Sequence, residues 1–349
     1  MKVSPRNRSL GLSLVELMVA MVISLILLIG VIQIFVGTST TNRAQEGLSR
    51  VQENARFGID SVSRDLRMAG FTGCPRSSEV DMNVLAQNVD QNSLLGGFTL
   101  RGVDDAQGAT NFWATNGEPD DLVADTPAIR IYHSGDSTTS PSEMTGSNDN
   151  FQAANFWVDD NLDVQDDDIV IITDCRSAHA VAAHNEGATG DGNWRININS
   201  NNDPNNWNHV PNVNYDERSR VLAHRAYTYF IAERREGFPA LYRRNEANAG
   251  GAQSIELVEN LETMRIQYGR DTNGDEQVDE YVNAGALTGA DDWDEIVAVR
   301  ISMLVRSENL LGEERTRQFV LLGDTLPEFQ DRRIRQVATT TISLRNRLN

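Results

Sequence analysis

The chain has 349 residues, of which 40% are hydrophobic, enough for one large domain or two ordinary domains with a buried core. Its 50 acidic residues outnumber its 31 basic residues and give a formal net charge of −19. This balance leaves no basic surface of the size that nucleic acids require, so nucleic-acid binding is not expected. An acidic, soluble body that faces water or divalent cations is the simpler interpretation.

The first predicted element is an apolar segment near the N-terminus. Residues 17–36 are interrupted only by Ser24, Gly30 and Gln33. Twenty residues of helix span about 30 Å, the thickness of the hydrocarbon layer of a bilayer. Basic residues before the segment predict a cytoplasmic N-terminus and an exported remainder. These residues are Lys2, Arg6 and Arg8. A conventional cleaved signal peptide is disfavoured, because no small-residue cleavage site follows the segment.

The helical pattern continues beyond the apolar segment. Apolar residues recur every three or four positions up to Ala69, which predicts one buried stripe along a helix, and Gly70 is a suitable stop. The residues of the stripe are Leu48, Val51, Ala55, Ile59, Val62, Leu66 and Ala69. The sequence therefore predicts one helix from Leu12 to Ala69, apolar all round in its first half and amphipathic in its second. A membrane anchor followed by a stalk that packs on a domain is the plain interpretation.

Glu16 does not fit a plain anchor. A charge inside a membrane span costs a few kcal/mol at the centre of the bilayer, less near an end, and usually has a partner. Position 16 lies near the start of the apolar segment. The carboxylate either reaches the membrane surface or pairs with a positive charge.

The stretch "GLSLVE" (Gly11 to Glu16), between a short basic leader and an apolar helix, resembles the class III signal of type IV prepilins. The resemblance implies that the prepilin peptidase cuts between Gly11 and Leu12 and methylates the new amine of Leu12. Members more often have Phe or Met at that position, so Leu12 is a small departure. The resemblance also implies that Glu16 pairs with the N-terminal amine of a neighbouring subunit during filament assembly. Each of these charges would then supply the counter-ion that the other needs in the bilayer.

Three further blocks resemble the PilW family of type IV pilus minor pilins. They are "LSRVQENARFGIDSVSRDLRMAGFTGC" (48–74), "DDDIVIITDCRSA" (166–178) and "RRIRQVATTTISLRNRL" (332–348). The J-type pseudopilins of type II secretion share the first and last patterns and are the close alternative. Their members are usually much shorter, which favours PilW.

The resemblance implies four parts. Residues 1–11 are a cleaved leader, 12–36 a transmembrane and later filament-core helix, 37–70 an amphipathic stalk, and 71–349 a periplasmic head. The fold class is α+β, with the long N-terminal helix packed on an antiparallel β-rich head.

The strands of the head are predicted from short runs rich in β-branched and aromatic residues. These runs are 128–133, 168–175, 226–233, 296–307 and 339–346. Residues 253–268 are predicted as strand, helical turn and strand. Residues 134–150 and 193–215 are predicted as long loops, either insertions or binding elements. Trp194 and Trp207 indicate that the second loop is partly packed.

The meaning of the two cysteines depends on the compartment. In the cytosol Cys74 and Cys175 would be two unrelated thiols, whereas in an exported domain they are expected to pair. Since the resemblance places the head outside the cytoplasm, it implies a Cys74–Cys175 disulfide.

One acidic stretch has the spacing of a calcium loop. "DTNGDEQVDEY" (271–281) places oxygen-bearing side chains at alternate positions, as in D-x-[DN]-x-D loops. The candidate ligands are Asp271, Asn273, Asp275, Gln277 and Asp279. Two features depart from the motif: Glu276 stands at the usual glycine position, and Val282 at the position of the usual bidentate acid. An acidic hairpin turn is therefore the favoured interpretation and calcium the alternative. No cofactor is required otherwise.

No catalytic motif is recognisable. The five histidines lack ligand spacing, and the sequence contains no G-x-S-x-G, P-loop or H-E-x-x-H pattern. The chain is therefore not expected to be an enzyme.

The resemblance implies a minor pilin held in the inner membrane and later incorporated in the pilus on the cell surface. Its expected partners are the prepilin peptidase, other minor pilins and the major pilin, with a tip adhesin as a further candidate. A complex of minor pilins would prime assembly and then lie near the pilus tip. The alternative from another class is a single-span periplasmic binding module that never assembles.

Overall fold

The long helix and most of the head can be followed in a computed structural model of the chain. It describes residues 13–74, 81–84, 99–113, 117–135, 142–143, 155–158, 164, 168–188, 194–197, 219–234, 237–246, 253–311 and 314–346. Gly11 and Leu12 lie outside the described residues, as do Trp207 and most of the two predicted loops, 134–150 and 193–215.

One uninterrupted helix, α1, runs from Leu14 to Met68. It begins at a capping box, in which Ser13 and Glu16 satisfy each other's backbone N–H groups. The helix ends at Ala69, and Gly70 then adopts φ 74°, a backbone conformation that glycine reaches without steric cost. The predicted helix is confirmed. Its first helical residue is Leu14 rather than Leu12, because Ser13 is the N-cap, and its last is Met68 rather than Ala69.

The strands of a large sheet follow in chain order. They are β1 (Asp81–Val84), β2 (Leu100–Val103), β3 (Ala128–Ser134), β4 (Ser142–Glu143), β5 (Asn155–Val158), β6 (Asp168–Thr173), β7 (Ser177–Ala188), β8 (Trp194–Asn197), β9 (Arg220–Glu233), β10 (Pro239–Asn245) and β11 (Ser254–Glu259). Their main order is β11-β10-β9-β6-β7-β8-β5. β3 also pairs with β9 and carries β2, while β4 pairs with β9. All these pairs are antiparallel, and β1 joins β7 in parallel.

A second sheet lies in the C-terminal part of the head. The remaining strands are β12 (Leu261–Arg270), β13 (Glu280–Val282), β14 (Ile296–Arg306), β15 (Arg315–Arg317), β16 (Val320–Leu321), β17 (Asp324–Thr325), β18 (Phe329–Asp331) and β19 (Arg335–Ser343). The sheet is antiparallel with the order β13-β12-β14-β19, and two small ribbons form from β15–β18 and β16–β17. A 3-10 turn (Ala284–Ala286) and a short helix, α2 (Ala290–Asp294), connect β13 to β14.

The connection between the two sheets differs from the prediction for residues 253–268. The expected helical turn is wrong: Asn260 alone separates β11 from β12, at φ 60°. Asparagine tolerates this left-handed conformation better than most residues, so a single residue redirects the chain from one sheet to the other. The last strand also begins earlier than predicted, at Arg335 rather than Thr339.

The second half of α1 packs against both sheets. Its buried residues include Val51, Ala55, Val62 and Leu66, which share one core with Leu241 and Val258 of the large sheet and Met303 and Ile342 of the small sheet. Burial of each large apolar side chain contributes about 1.5–3 kcal/mol. The predicted α+β fold, a long helix on an antiparallel β-rich head, is confirmed.

Candidate functional site

The first half of α1 presents apolar side chains to its surroundings on every side. From Leu14 to Val36 its large apolar residues are all exposed, Leu14 by 75% and Phe35 by 72%. Among the described residues, α1 is the one helix whose length and composition suit a membrane span. Such a surface is stable only in a bilayer or against apolar surfaces of neighbouring chains.

Glu16 is the one charged residue between Leu14 and Val36. Its Oε2 accepts the backbone N–H of Ser13 at 3.3 Å, while its own N–H donates to Ser13 Oγ at 3.2 Å. The carboxylate is thus held at the N-terminal end of α1, where the helix dipole favours an anion. Gly11 and Leu12 lie outside the described part of the chain.

A buried polar contact fixes the stalk to the large sheet. The hydroxyl of Tyr229 donates a hydrogen bond of 2.5 Å to Asp65 Oδ2, and Arg243 Nη1 lies 3.7 Å from the same oxygen. Burial, followed by the charge of Asp65, raises the pKa of Tyr229 well above its usual value, so the phenol remains a donor. Sequence analysis missed this contact, because Asp65 lies on the predicted helix and Tyr229 on a distant strand.

The end of α1 is fixed by the C-terminal segment of the chain. Asn346 donates from Nδ2 to the carbonyl oxygen of Ala69 at 3.0 Å and approaches those of Met68 and Arg67. The N–H of Gly70 donates to Tyr132 O at 2.8 Å. Carbonyl groups at a helix end lack intrahelical donors, and the contacts of Asn346 supply part of what is missing. An asparagine at the end of the predicted strand 339–346 was the only sequence signal, and it is weak.

Cys74 and Cys175 form a disulfide, with their Cα atoms 5.4 Å apart. Cys74 follows α1 and is buried, whereas Cys175 follows β6 and is exposed. The two cysteines that sequence analysis expected to pair therefore join the end of the stalk to the large sheet.

The acidic stretch from Asp271 to Asp279 forms a turn between β12 and β13. The carboxylate of Asp271 accepts backbone N–H groups from the four residues at 273–276, at 2.7–3.3 Å. That of Asp279 accepts from the N–H and hydroxyl of Thr272 and from Asn273 Nδ2. Burial raises the pKa of Asp271, but its four backbone hydrogen bonds together outweigh that effect and lower the pKa. At Asp279 the hydrogen bonds from Thr272 lower the pKa against a smaller opposing effect of burial.

The calcium prediction for this turn is not settled by its geometry. Glu276, at the position where the motif has glycine, adopts φ 65°, the conformation for which glycine is favoured. The side chains of Asp275 and Asn273 accept backbone N–H groups from Gln277 and Asp275. Within the described residues, which include this whole turn, no group of three or more His, Cys, Asp or Glu side chains is placed to hold a metal ion. Calcium binding here therefore stays a prediction.

Three histidines of the large sheet, His133, His179 and His224, are buried. Burial, reinforced by the nearby His133 and Arg225, lowers the pKa of His224 to about 3, so this ring is neutral. His133 and His179 lie on β3 and β7 and are also buried. The rings of His224 and His133 pack against Tyr132 and Tyr227, and His133 Nδ1 lies 2.6 Å from Gly135 O.

Two protein-family models match the chain, one near its N-terminus and one in its C-terminal part. Residues 6–32 match the prokaryotic N-terminal methylation motif, which defines the class as prepilin-like. Residues 228–346 match the family of the type IV pilus-assembly protein W, PilW. No curated protein and no solved structure matches the chain.

These two matches confirm the resemblance to PilW-type prepilins where they apply and support a type IV pilus minor pilin. They also support a membrane-anchored chain, since the motif includes the start of the exposed apolar helix. The PilW-like blocks at 48–74 and 166–178 lie outside both matched ranges, so the resemblance there stays a prediction.

Proposed function

We propose that this chain is a minor pilin that joins other minor pilins in a complex which primes pilus assembly and remains near the tip. One observation carries the proposal: a single helix of 55 residues is apolar and exposed at its start and docked into a β-rich head at its end. Such a helix serves first as a membrane anchor and then as a filament core, because both environments cover the same apolar surface.

The leader would be removed between Gly11 and Leu12 by the prepilin peptidase, with methylation of the new amine. Glu16 would then pair with the amine of a neighbouring subunit. The capping box supports this role, because it holds the carboxylate at the helix start, where an incoming amine can reach it. In a bilayer each charge would relieve the desolvation cost of the other.

The head would lie in the periplasm before assembly, on the side opposite the basic leader. Its partners would be other minor pilins and the major pilin, with a tip adhesin as a further candidate. We assign it no catalytic role, since residues 228–346 match a family of pilus-assembly proteins.

Replacement of Glu16 tests the proposal. Glu16→Ala should abolish incorporation into pili while the chain remains in the inner membrane, as measured by immunoblots of sheared pili and membrane fractions. Glu53→Ala removes an exposed carboxylate from the stalk and is the matched control. If Glu16→Ala were incorporated as well as the control, the charge pair would be refuted and an inert anchor favoured.

Mass spectrometry of the purified chain tests processing independently. The mature protein should begin at a methylated Leu12. A chain that still carries residues 1–11 in cells with an active prepilin peptidase would contradict the proposed cleavage.

A further inference from the structure

The strand β19 forms one edge of the small sheet. It pairs with β14 over its whole length, from Arg306↔Arg335 to Ala298↔Ser343. Within the described residues no strand pairs with its other side. At nine residues it is the longest described strand that has one edge unpaired from end to end.

The register shows which backbone groups face outward. The N–H of Leu344 donates to Val297 O at 2.9 Å, and the N–H of Ser307 donates to Ile334 O at 2.8 Å. Even-numbered residues on β19 therefore bond to β14, because bonding alternates along an antiparallel strand. The odd-numbered residues direct their N–H and C=O groups to the open side. They are Arg335, Val337, Thr339, Thr341 and Ser343.

This edge lacks the features that usually prevent pairing with another chain. Between Gln336 and Ser343 there is no proline and no charge, and the register with β14 is free of bulges. Proteins commonly protect open edges with charges, prolines, bulges or short strands. Two other open edges show such protection. β13 has only three residues, and β11 has a register shift in its pairing with β10 and carries Glu256 and Glu259.

Beyond the buried Arg335, much of the strand is also accessible. Thr339, Thr341 and Ser343 are exposed, while the residues from Gln336 to Ala338 are half-buried. Ala338 and Ile342 pack on the core, so one face of the strand is fixed. A second strand could therefore be added at this edge without any rearrangement of the core.

Charge indicates the kind of strand that fits. Residues 332–349 contain no acidic residue but five arginines, in a chain with a net charge of −19. Exposed Arg332 precedes β19 and exposed Arg345 follows it, so positive charge stands at both ends. Pairing of two copies of β19 would oppose arginines in either direction, which disfavours a second copy of this chain.

We propose that β19 accepts an extended strand, flanked by acidic residues, from a different protein. The added strand would bond to the outward backbone groups of the odd-numbered residues, and its acidic ends would lie against the arginines at 332 and 345. Main-chain hydrogen bonds would supply affinity and the flanking charges selectivity. The inference does not rest on the proposed pilin function.

The probe is a labelled peptide of alternating threonine and valine with two aspartates at each end. Its binding to the full chain in detergent is followed by fluorescence anisotropy. The peptide should bind, and a version with lysines at its ends should bind at least about tenfold more weakly. Equal binding of the two versions would refute the acidic partner, and no binding of the acidic peptide at millimolar concentration would refute the docking edge.

Backbone methylation tests the hydrogen bonds without any change to the protein. A peptide N-methylated at every second residue keeps the N–H groups along one of its two edges and should still bind. A fully N-methylated peptide keeps the same side chains but has no N–H groups, and it should lose binding. If it bound as tightly as the parent peptide, strand addition would be refuted.

A pair of variants locates the binding. Thr341→Pro removes an outward N–H without removing a bond to β14, as edge strands allow. Thr341→Val keeps that N–H and loses the same hydroxyl contact with Arg300. Thr341→Pro should weaken peptide binding at least about tenfold relative to Thr341→Val. Equal binding of the two folded variants would place the peptide elsewhere, and if the proline variant unfolded, the methylated peptides would decide.

Discussion

Arg335 shows how much a single buried residue contributes to the head. Its side chain is 3% exposed and bonds to both oxygens of Asp331, at 2.7 and 2.8 Å, and to Glu262, at 2.6 and 3.1 Å. Arg306 approaches Glu262 at 3.0 Å. The start of β19 is thereby connected to β12 and β18. A planar guanidinium suits this arrangement, whereas a lysine could not bond to two carboxylates in this way.

The pH dependence of stability tests this cluster. The hydrogen bonds from Arg335 lower the pKa of Asp331 to about 2, against a smaller opposing effect of burial. Since an unfolded aspartate titrates near ~3.9, the ionised carboxylate stabilises the fold above that pH, and the contribution is lost as the pH falls toward 2. Asp331→Asn should therefore give a flatter dependence of Tm on pH between about 4 and 2 than the wild-type chain.

Arg335→Lys should also flatten the dependence of Tm on pH, because lysine keeps the positive charge but loses the paired hydrogen bonds to Asp331. Identical slopes for Asp331→Asn and wild type would show that Asp331 does not titrate as proposed. Tm is measured by circular dichroism over the same pH range for all three proteins.

At the scale of elements, the end of α1 depends on a residue from the opposite end of the chain. Asn346→Ala removes the donor to the carbonyl groups of the last turn, which should cost about 0.5–1.5 kcal/mol of the free energy of unfolding. Arg345→Ala, at an exposed neighbouring position, is the control and should change it by at most about 0.5 kcal/mol. Urea unfolding measures the free energy of unfolding of the two variants. Equal losses of that free energy would mean that the hydrogen bonds of Asn346 to the end of α1 contribute nothing.

The turn from Asp271 to Asp279 is the element for which a calcium titration decides between two interpretations. Because its carboxylates already accept hydrogen bonds from the turn itself, we expect millimolar calcium to leave the Tm unchanged. A calcium-dependent rise in Tm that is lost in Asp275→Asn would instead establish a calcium site. Asp60→Asn on the exposed face of the stalk controls for the loss of one charge.

The elements that sequence analysis predicted are those with a local signal. The helix follows from a run of apolar residues and a stripe from Leu48 to Ala69, and β6 and β14 follow from β-branched runs. The change from one sheet to the other at Asn260 has no such local signal in the sequence, because a single left-handed residue between two strands resembles an ordinary turn. Glu16 could be found from sequence because a lone acid in an apolar segment is costly, whereas Asn346 carries no comparable cost.

At the scale of the whole molecule, the pairing of strands could not be predicted. β3 pairs with β9, and β14 lies between β12 and β19, although the intervening segments differ widely in length. Composition and periodicity specify whether a segment is a strand but not its neighbour, which depends on packing across the core. α1 lies over both sheets, so the stalk holds the two halves of the head together.

The disulfide adds a covalent connection to that arrangement. It joins Cys74, just after α1, to Cys175, at a separation of 101 residues. A loop of that size restricts the unfolded chain, and loss of the bond should cost about 2–4 kcal/mol of the free energy of unfolding. Cys74→Ser with Cys175→Ser should therefore unfold at lower urea than the wild-type chain.

A reductant separates the effect of the bond from that of the substitutions. It should lower the urea midpoint of the wild-type chain toward that of the double variant and leave the double variant unchanged. Thiol titration after denaturation without reductant should find no free thiol in the wild-type chain. Two free thiols, or a midpoint that reductant does not alter, would contradict a bond that secures the stalk to the large sheet.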